Sequence, residues 1–534
     1  MAEYCVVGSG PAAVACAHAL LSSGARVRML DAGLRLEPDR RPLIDRLAHT
    51  PMEQWAESDL EEFRADVNPE VGGVPLKLVY GSDFAYRLAG ETLGVSYQNA
   101  GLRPSFAAGG LTNVWGAAMM PYADGDMLDW PFPRDSLSAH YKAVLDLTGL
   151  AGEEDDLAEH FPLFTENVTR LELSGQCRQL LASMTKHRNT LQRAGISFGR
   201  SRLAVRGNRT TAGDGCVYCR LCLSGCPWDL IYTAAHTVAQ LQRNPMFTYN
   251  PNVVVTRAHE VDERVEISGQ RLGTSEPLTW NADRVFVAAG VIPTTKIILQ
   301  SLGAYEQTVY LKDSQYFLVP MLARRTRGAG TERSFGLAQL FLELLDPTGR
   351  QRSAHVQLYS NSDIISAAVA KAFGPFRSPL GALVRSLQER ALVAQGFLHS
   401  DYSSRISVRL RRSESGGSAS LELKGETNND AAAAVRGVVR KLLRHAPGIG
   451  AVPLLPMLTI AEPGRSFHSG GSFPMRANPV GLETDVLGRV PRWRRIHAVD
   501  ATVFPSIPAT TITLSSMANA HRIGLTASRL DRSK

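Results

Sequence analysis

The stretch YCVVGSGPAAVACAHALLSSGARVRMLDAG, at residues 4–33, decides the fold of this chain. It contains an apolar run at 4–7 and a run at 27–30 that is apolar except for Arg28, and each is typical of a buried strand. The alanine-rich residues 13–21 between them predict a helix that ends at Gly24. The stretch therefore predicts a β-α-β unit with a glycine turn before its helix.

The glycine turn has the spacing of a dinucleotide-binding site. Gly8 permits a sharp turn, Gly10 lets the backbone approach a pyrophosphate, and the small Ala13 lets helix and strand pack closely. The N-terminus of the helix attracts phosphate, and an acidic residue at the end of the second strand binds ribose hydroxyls. The alternative is a chance glycine turn. We predict that five residues bind a dinucleotide: Gly8, Gly10, Pro11, Ala12 and Asp31.

Composition indicates a globular protein of several structural units. Of the 534 residues, 44% are hydrophobic and 20% are charged, so disorder is not expected. The net charge of +7 slightly favours an anionic substrate or a membrane surface. No cluster of arginines and aromatics predicts nucleic-acid binding. Because we find neither a targeting segment nor an apolar run of ~18–20 residues, we expect a cytoplasmic protein.

Four of the seven cysteines follow one another at metal-binding spacing. The pattern C-x2-C-x2-C-x3-C-P is that of ferredoxin-like segments that bind a [4Fe–4S] cluster. Disulfides are rare in the cytosol, which favours a metal over a disulfide. The alternatives are a different metal, a relic without a metal, or a site in which Cys177 replaces the fourth ligand. The predicted ligands are Cys216, Cys219, Cys222 and Cys226.

Residues 364–397 combine apolar side chains with four basic ones, Lys371, Arg377, Arg385 and Arg390. A basic amphipathic helix of this kind can lie on an anionic membrane. An ordinary helix packed on its own domain is the commoner outcome, with basic stems reaching outward. Peripheral membrane contact is therefore possible but not favoured.

Four segments resemble the glucose–methanol–choline (GMC) family of FAD-dependent oxidoreductases, and they occur in the family's order. The first is residues 4–33. The second is GGLTNVWG at 109–116, which is similar to the family's flavin-covering segment and closest to its pyranose-oxidase version. The third is VAAGVI at 287–292. The fourth combines HSGGS at 468–472 with VDATVFP at 499–505.

This resemblance implies an α/β protein with an α+β substrate unit. Residues 1–45, 205–304 and 462–534 would form a Rossmann-like FAD-binding domain that includes the cysteine run. Residues 46–204 would form a flavin-covering and connecting region, and residues 305–461 would form a substrate domain with its own sheet. Val114 occupies the position of the family's flavin-linked histidine, which implies non-covalent FAD. The further FAD-binding residues it implies are Gly109, Gly110, Asn113, Val114, Ala289, Asp500, Ala501, Ile512 and Thr513.

The resemblance assigns catalysis to His468, which would take the hydroxyl proton of an alcohol as hydride passes to flavin N5. Histidine suits this task because its reference pKa is near ~6.5. Where the family has a second His or Asn, this chain has Thr511, which can bind an alcohol oxygen but cannot take up a proton. A helix is predicted over residues 512–523, capped by Thr510 or Thr511 and followed by Gly524, with its N-terminus towards the flavin.

Together these features predict an FAD-dependent dehydrogenase that oxidises an alcohol group on a sugar or polyol-like metabolite. Electrons would leave through the cluster to an acceptor protein or a quinone. One alternative is an oxidase that reduces oxygen to hydrogen peroxide. Another is a non-catalytic flavoprotein that only relays electrons, and a reductase running in the opposite direction is a third.

Overall fold

The computed structural model describes residues 2–64, 76–207, 215–324, 333–345, 352–361, 381–412 and 419–532. The opening stretch forms the predicted β-α-β unit, with strands Glu3–Val7 and Arg26–Leu30 around the helix Pro11–Ser22. Gly8 has a φ of +99°. A Cβ on it would lie 2.5 Å from the carbonyl oxygen of Ala288, so this turn requires glycine.

These strands belong to a five-stranded parallel sheet assembled from distant parts of the chain. Arg284–Val287 pairs with Glu3–Val7 on one side, and Ile496–Ala498 extends the sheet beyond it. Phe247–Asn250 pairs with Arg26–Leu30 on the other side. The carboxyl ends of these strands therefore share one edge, where ligands bind in open α/β sheets.

Three strands in antiparallel order form a small sheet after the parallel one: Val253–Val261, Arg264–Arg271 and Pro277–Ala282. The helix Val291–Leu302 follows Gly290, and the long C-terminal helix Thr513–Arg532 packs along Pro11–Ser22. The C-terminal helix passes straight through Gly524, so the predicted end at that residue is wrong. A Cβ there would lie 3.1 Å from the carbonyl oxygen of Cys16, and glycine lets the two helices pack closely.

Two larger sheets complete the framework. A five-stranded sheet contains, in order, Ser469–Gly470, Thr308–Asp313, Arg405–Arg411, Ser420–Glu426 and Val95–Gln98. A seven-stranded sheet contains, in order, Ala451–Pro453, Tyr316–Ala323, Ala391–Leu398, Ala354–Tyr359, Leu340–Leu344 and Ile196–Arg200, with Thr459–Ile460 paired to Tyr316–Ala323. The mixed helix-and-sheet architecture confirms the predicted fold class.

The sheets do not follow the predicted division of the chain. Ile196–Arg200 and Val95–Gln98, from the predicted connecting region, pair with strands of the predicted substrate domain. Ser469–Gly470, from the predicted FAD-binding domain, pairs with Thr308–Asp313. Because His468 directly precedes Ser469, this last pairing connects His468 to the five-stranded sheet.

The remaining helices surround these sheets. They are Arg41–His49, Glu57–Phe63, Ala89–Thr92, Ser138–Thr148, Gly175–Lys186, Arg188–Arg193, Ala234–Leu241, Gly381–Arg390, Ala431–Arg444 and Ala446–Ile449, and a short two-stranded sheet joins Leu150–Ala151 to Val168–Thr169. Every helix in these described ranges is too short or too polar to cross a membrane.

The basic segment predicted as one helix is only partly described. Residues 362–380, with Lys371 and Arg377, lie outside the described residues. Gly381–Arg390 is a helix, but Ala391–Leu398 is a central strand of the seven-stranded sheet. The prediction of a single amphipathic helix over this stretch is therefore wrong, because the apolar residues after Arg390 alternate along a buried strand.

Candidate active site

A cleft of about 1010 Å³ is lined both by the carboxyl ends of the parallel sheet and by one face of the seven-stranded sheet. Most residues predicted to bind a dinucleotide or to act in catalysis line it. They are Gly8, Gly10, Pro11, Ala12, Asp31, Gly110, Val114, Ala289, His468, Asp500, Ala501, Thr511, Ile512 and Thr513. The structure thus brings into one cleft segments that are hundreds of residues apart in the chain.

The glycine turn leaves room for a ligand beside the helix N-terminus. A Cβ on Gly10 would meet no protein atom within 4 Å, although Gly10 lines the cleft. No protein contact explains a glycine at this position, whereas close approach of a pyrophosphate does. The Pro11–Ser22 helix begins directly after Gly10, so its first N–H groups face the same space.

Ser9 is a residue that the motif analysis did not single out, and it joins the turn to its neighbours. Its hydroxyl donates to Asp31 Oδ2 at 2.5 Å and accepts from the Gly109 N–H at 2.9 Å. The Tyr249 hydroxyl also donates to Asp31 Oδ2, at 2.9 Å. Burial raises the pKa of Asp31 to about 6, although both hydroxyls favour its charged form.

The segment at 109–116 contains a 3₁₀ turn at Gly110–Asn113, and six of its eight residues line the cleft. Gly109, with a φ of +85°, packs against Ala235, where a Cβ would lie 2.6 Å from the backbone nitrogen. The Asn113 amide donates to the carbonyl oxygens of Ala108 and Gly110. Neither Gly109 nor Asn113 lines the cleft. Both residues shape the turn, and their contact with the cofactor stays a prediction.

Asp500 lines the cleft, but protein donors already occupy its carboxylate. Oδ2 accepts from the Thr294 hydroxyl at 2.6 Å and from the Gly290 N–H at 3.1 Å. Oδ1 accepts from the hydroxyl and the N–H of Thr502, at 2.6 and 3.1 Å. Four donors fill the usual capacity of a carboxylate, so Asp500 holds the cleft wall at Gly290 in place.

His468 reaches the cleft from a loop anchored by a buried aspartate. Asp313 accepts hydrogen bonds from the Ser466 and Ser469 hydroxyls at 2.9 and 2.8 Å, and from the Gly464 N–H at 2.7 Å. The His468 ring lies 5.0 Å from the Phe397 ring, and its Nδ1 atom is buried without a hydrogen-bond partner. Burial, with a smaller contribution from the neighbouring His355, lowers the pKa of His468 to about 4. His468 is therefore neutral at physiological pH and able to accept a proton.

Thr511 lies on the wall of the same cleft as His468. Its hydroxyl and that of Thr510 are buried, and neither has a hydrogen-bond partner. The predicted side-chain cap by either threonine is therefore wrong, since a cap would occupy the hydroxyl. The C-terminal helix begins at Thr513, which lines the cleft, so its N-terminus faces the ligand space.

The seven-stranded sheet contributes a face of the cleft that motif analysis missed. Six side chains of this sheet line the cleft, and none is charged: Tyr316, Leu318, Gln357, Tyr359, Gln395 and Phe397. Their alternation along three strands, at every second residue, was the available signal. Only the strand register shows that the three strands are neighbours.

The four cysteines of the run line a second, small cavity of about 20 Å³. Its other walls are mostly apolar and include Leu230, Phe335 and Leu337. All four cysteines are free thiols. Within the described ranges, no three or more His, Cys, Asp or Glu side chains are grouped so that they could hold a metal ion. The cavity therefore brings the predicted ligands together without forming a site for a single ion.

Backbone N–H groups point at the sulfur atoms of this cavity. The N–H groups of Tyr218, Leu230 and Gly336 donate to the sulfurs of Cys216, Cys226 and Cys222 at 3.4, 3.4 and 3.3 Å, respectively. Three non-glycine residues around the run have a left-handed backbone: Tyr218, Arg220 and Asp229, with φ of 59°, 66° and 51°. Such strain persists only where the surroundings over-determine it, and it often marks functional sites.

One loop separates the two cavities. Leu223 and Ser224 line the large cleft, whereas Cys222 and Gly225 on either side of them line the cysteine cavity. Lys77 also lines the cleft, and its Nζ donates to the carbonyl oxygen of Trp115 at 2.7 Å. Burial lowers the pKa of Lys77 to about 8, while the neighbouring Cys222 and Cys226 favour its charged form.

Comparison with known proteins gives a match in structure only. No protein-family model and no curated protein matches the sequence. The chain is similar to the crystal structure of pyridoxine 4-oxidase from Mesorbium loti, with a TM-score of 0.60 and 14% sequence identity. The match covers 100% of this chain and 100% of that chain. At this identity the likeness carries the fold alone, and the chain has the fold of that oxidase over its whole length.

Proposed function

We propose that the chain is an FAD-dependent oxidoreductase of the GMC type that oxidises an alcohol group. One observation carries the proposal. A single cleft joins the glycine turn and Asp31 to His468 and Thr511. Its volume is at the upper end of ordinary ligand sites, as a dinucleotide and a substrate together would require.

The residues of the cleft fit FAD. The open space at Gly10 and the adjacent helix N-terminus suit a pyrophosphate, and Asp31 suits ribose hydroxyls. The unpartnered hydroxyl of Thr511 is available to a polar group of a bound molecule. With Val114 at the position of the family's flavin-linked histidine, we propose that the FAD is held without a covalent bond.

In the proposed reaction, FAD supplies hydride acceptance at flavin N5. His468 takes the hydroxyl proton of the substrate, because it is the neutral imidazole on the cleft wall. Thr511 donates to or accepts from the alcohol oxygen and fixes its orientation. The N-terminus of the Thr513–Arg532 helix stabilises negative charge that develops next to it.

We further propose that Cys216, Cys219, Cys222 and Cys226 hold a [4Fe–4S] cluster, which supplies one-electron chemistry. A four-iron core takes one thiolate per iron, so its ligands stand farther apart than those of a single ion. The N–H groups directed at three of the sulfurs support this proposal, since such bonds are typical of iron–sulfur sites. Cys177 is buried in a separate apolar cluster and does not line the cavity, which argues against it as a substitute ligand.

The shared loop at residues 222–226 supports an electron path between the two sites. We therefore favour a dehydrogenase that passes electrons to an acceptor protein or a quinone. The similar structure is named an oxidase, which supports oxygen as the alternative acceptor. Turnover in air tests this choice. Hydrogen peroxide formed at the rate of dye-coupled turnover would reject the dehydrogenase.

We propose a sugar or polyol-like substrate and a cytoplasmic location for the protein. The test of the core proposal is the absorption spectrum of anaerobically purified protein, followed by addition of alcohols. The proposal predicts a flavin spectrum that bleaches with an alcohol, and about four irons and four sulfides per chain. Protein without flavin would reject it, and flavin that no alcohol bleaches would favour the non-catalytic flavoprotein.

A further inference from the structure

A network of buried polar side chains follows the seven-stranded sheet to the cleft. Glu343 and His355 lie directly opposite each other on neighbouring strands, both are 0% exposed, and Glu343 Oε1 is hydrogen-bonded to His355 Nδ1. The Gln357 Nε2 atom lies 3.2 Å from His355 Nε2. The Tyr359 hydroxyl donates to Gln357 Oε1 at 3.3 Å. The last two of these side chains line the cleft.

The direction of each hydrogen bond follows from the chemistry of the groups. A glutamine –NH₂ group can only donate, so His355 Nε2 accepts. The proton of neutral His355 is then on Nδ1 and is donated to Glu343. Both ends of the Gln357 amide are therefore fixed, with one N–H on His355 and the oxygen on Tyr359. Its second N–H remains for the cleft.

Buried polar side chains in the interior of a sheet need a reason. Glu343 Oε2 is buried and has no hydrogen-bond partner, which is costly compared with an apolar side chain. Such a cost is accepted where a buried network fixes a functional orientation. The hydrogen-bond network ends at the cleft wall, so the group whose orientation it fixes is the Gln357 amide.

A second amide faces the first across the sheet. Gln357 and Gln395 lie directly opposite each other on antiparallel strands, which brings their Cβ atoms to about 4.5–5.5 Å. Both side chains line the cleft. Phe397, two residues from Gln395, contacts His468. Gln395 therefore lies one pleat along its strand from the residue that contacts the proposed base.

We propose that Gln357 and Gln395 bind hydroxyl groups of a neutral polyhydroxy substrate, and that Glu343 and His355 are positioning residues for the Gln357 amide. This inference rests on the proposed alcohol oxidation. Gln357 offers its remaining N–H, and Gln395 offers a donor and an acceptor side by side, which together suit the hydroxyls of a polyol. The sheet face of the cleft contributes no charged side chain that could pair with a substrate phosphate or carboxylate, and the cationic Arg465 lies on the cleft wall outside this sheet.

The test measures anaerobic reduction of the bound flavin by polyols, with D-glucose, D-sorbitol and myo-inositol as probes. Cyclohexanol is the reference, because it has a ring alcohol and no further hydroxyl. We expect wild-type kcat/KM to be higher for at least one polyol than for cyclohexanol. Q357L and Q395L should each lower the ratio of the polyol value to the cyclohexanol value by about tenfold, mainly through KM for the polyol.

Variants at Glu343 test the positioning role separately. E343Q should remain close to wild type, because its amide oxygen still accepts the His355 N–H. E343M lacks this acceptor and should reproduce the polyol defect of Q357L. Flavin content and thermal melting check that each variant folds. The Gln357 and Gln395 variants decide the case if E343M does not fold, because both residues lie on the cleft wall.

The outcomes separate this inference from the function on which it rests. Preference for cyclohexanol in the wild type, or unchanged polyol KM in both Q357L and Q395L, would overturn the amide pair as the polyol site. E343M with wild-type polyol KM would overturn the positioning role. Flavin that no alcohol reduces would overturn the proposed function and this inference with it.

Discussion

The large cleft and the cysteine cavity are neighbours, but they differ in whether their key polar atoms already have partners in the protein. In the cleft, the polar atoms closest to the proposed chemistry have no protein partner: His468 Nδ1 and the Thr511 hydroxyl. In the cysteine cavity, backbone N–H groups already face the sulfur atoms of Cys216, Cys222 and Cys226. These differences agree with the proposed occupants, a large organic ligand in the cleft and a small iron–sulfur core in the cysteine cavity. Changes that affect one cavity and spare the other therefore test the comparison.

The largest expected effect is loss of FAD from a G8A variant. The new Cβ would lie 2.5 Å from the carbonyl oxygen of Ala288, and φ at this position is +99°. Gly273 provides a matched control, since its φ is +86° but nothing lies within 4 Å of a new Cβ. We expect G8A to purify without flavin and G273A to keep a full complement. Full flavin in G8A would contradict the cleft as the FAD site.

The same G8A protein sharpens the comparison at the second cavity. Because the cysteine cavity has its own walls and donors, we expect iron and sulfide to remain when FAD is lost. In the reverse experiment, C222S should lose most of its four irons while keeping FAD. C177S is the control, because Cys177 is buried in another apolar cluster, and it should keep its iron. Equal iron in C222S and wild type would reject Cys222 as a ligand.

A smaller effect is expected from T511V, which removes the hydroxyl but keeps the shape of the side chain. Loss of one hydrogen bond to the alcohol oxygen should lower the rate of flavin reduction by about tenfold. T510V is the neighbouring control, since the Thr510 hydroxyl is also buried but Thr510 does not line the cleft. A larger loss in T510V than in T511V would contradict the proposal that Thr511 positions the alcohol.

The smallest effect is on the pH dependence of kcat/KM. Burial holds the pKa of His468 near 4, so the neutral base persists well below the usual histidine range. Activity should be retained as the pH falls from 7 to 5 and be lost as the pH falls through about 4. The kcat/KM profile, measured with a pH-independent dye, checks this prediction. An acid limb at or above 6.5 would show that His468 is not the buried base.

The sequence alone predicted the elements whose chemistry is local. The glycine turn, the Asp31 position and the cysteine spacing each involve residues close together in the chain. The glycine turn and Asp31 line the large cleft, and the four cysteines line the small cavity. The contact of Gly109 and Asn113 with a ligand stays a prediction, because a motif does not show whether a small or polar residue contacts a ligand or its own turn. In this chain the turn uses both residues.

Sites that depend on strand pairing could not be read from the sequence. Glu343, His355 and Gln395 are brought together only by the register of three antiparallel strands. Lys77 reaches the loop between the cavities from more than a hundred residues away in the chain. Its sequence context contains no signal for that position, whereas its burial and its contact with Trp115 are evident in the structure.

The most direct test of the central claim is anaerobic stopped-flow reduction of the bound flavin in H468A. H236A, at a histidine that does not line the cleft, serves as the control. The account predicts that alcohol reduces the H468A flavin about 10²–10⁴-fold more slowly than in wild type and H236A, with FAD still bound. Flavin reduction in H468A at the wild-type rate would contradict it.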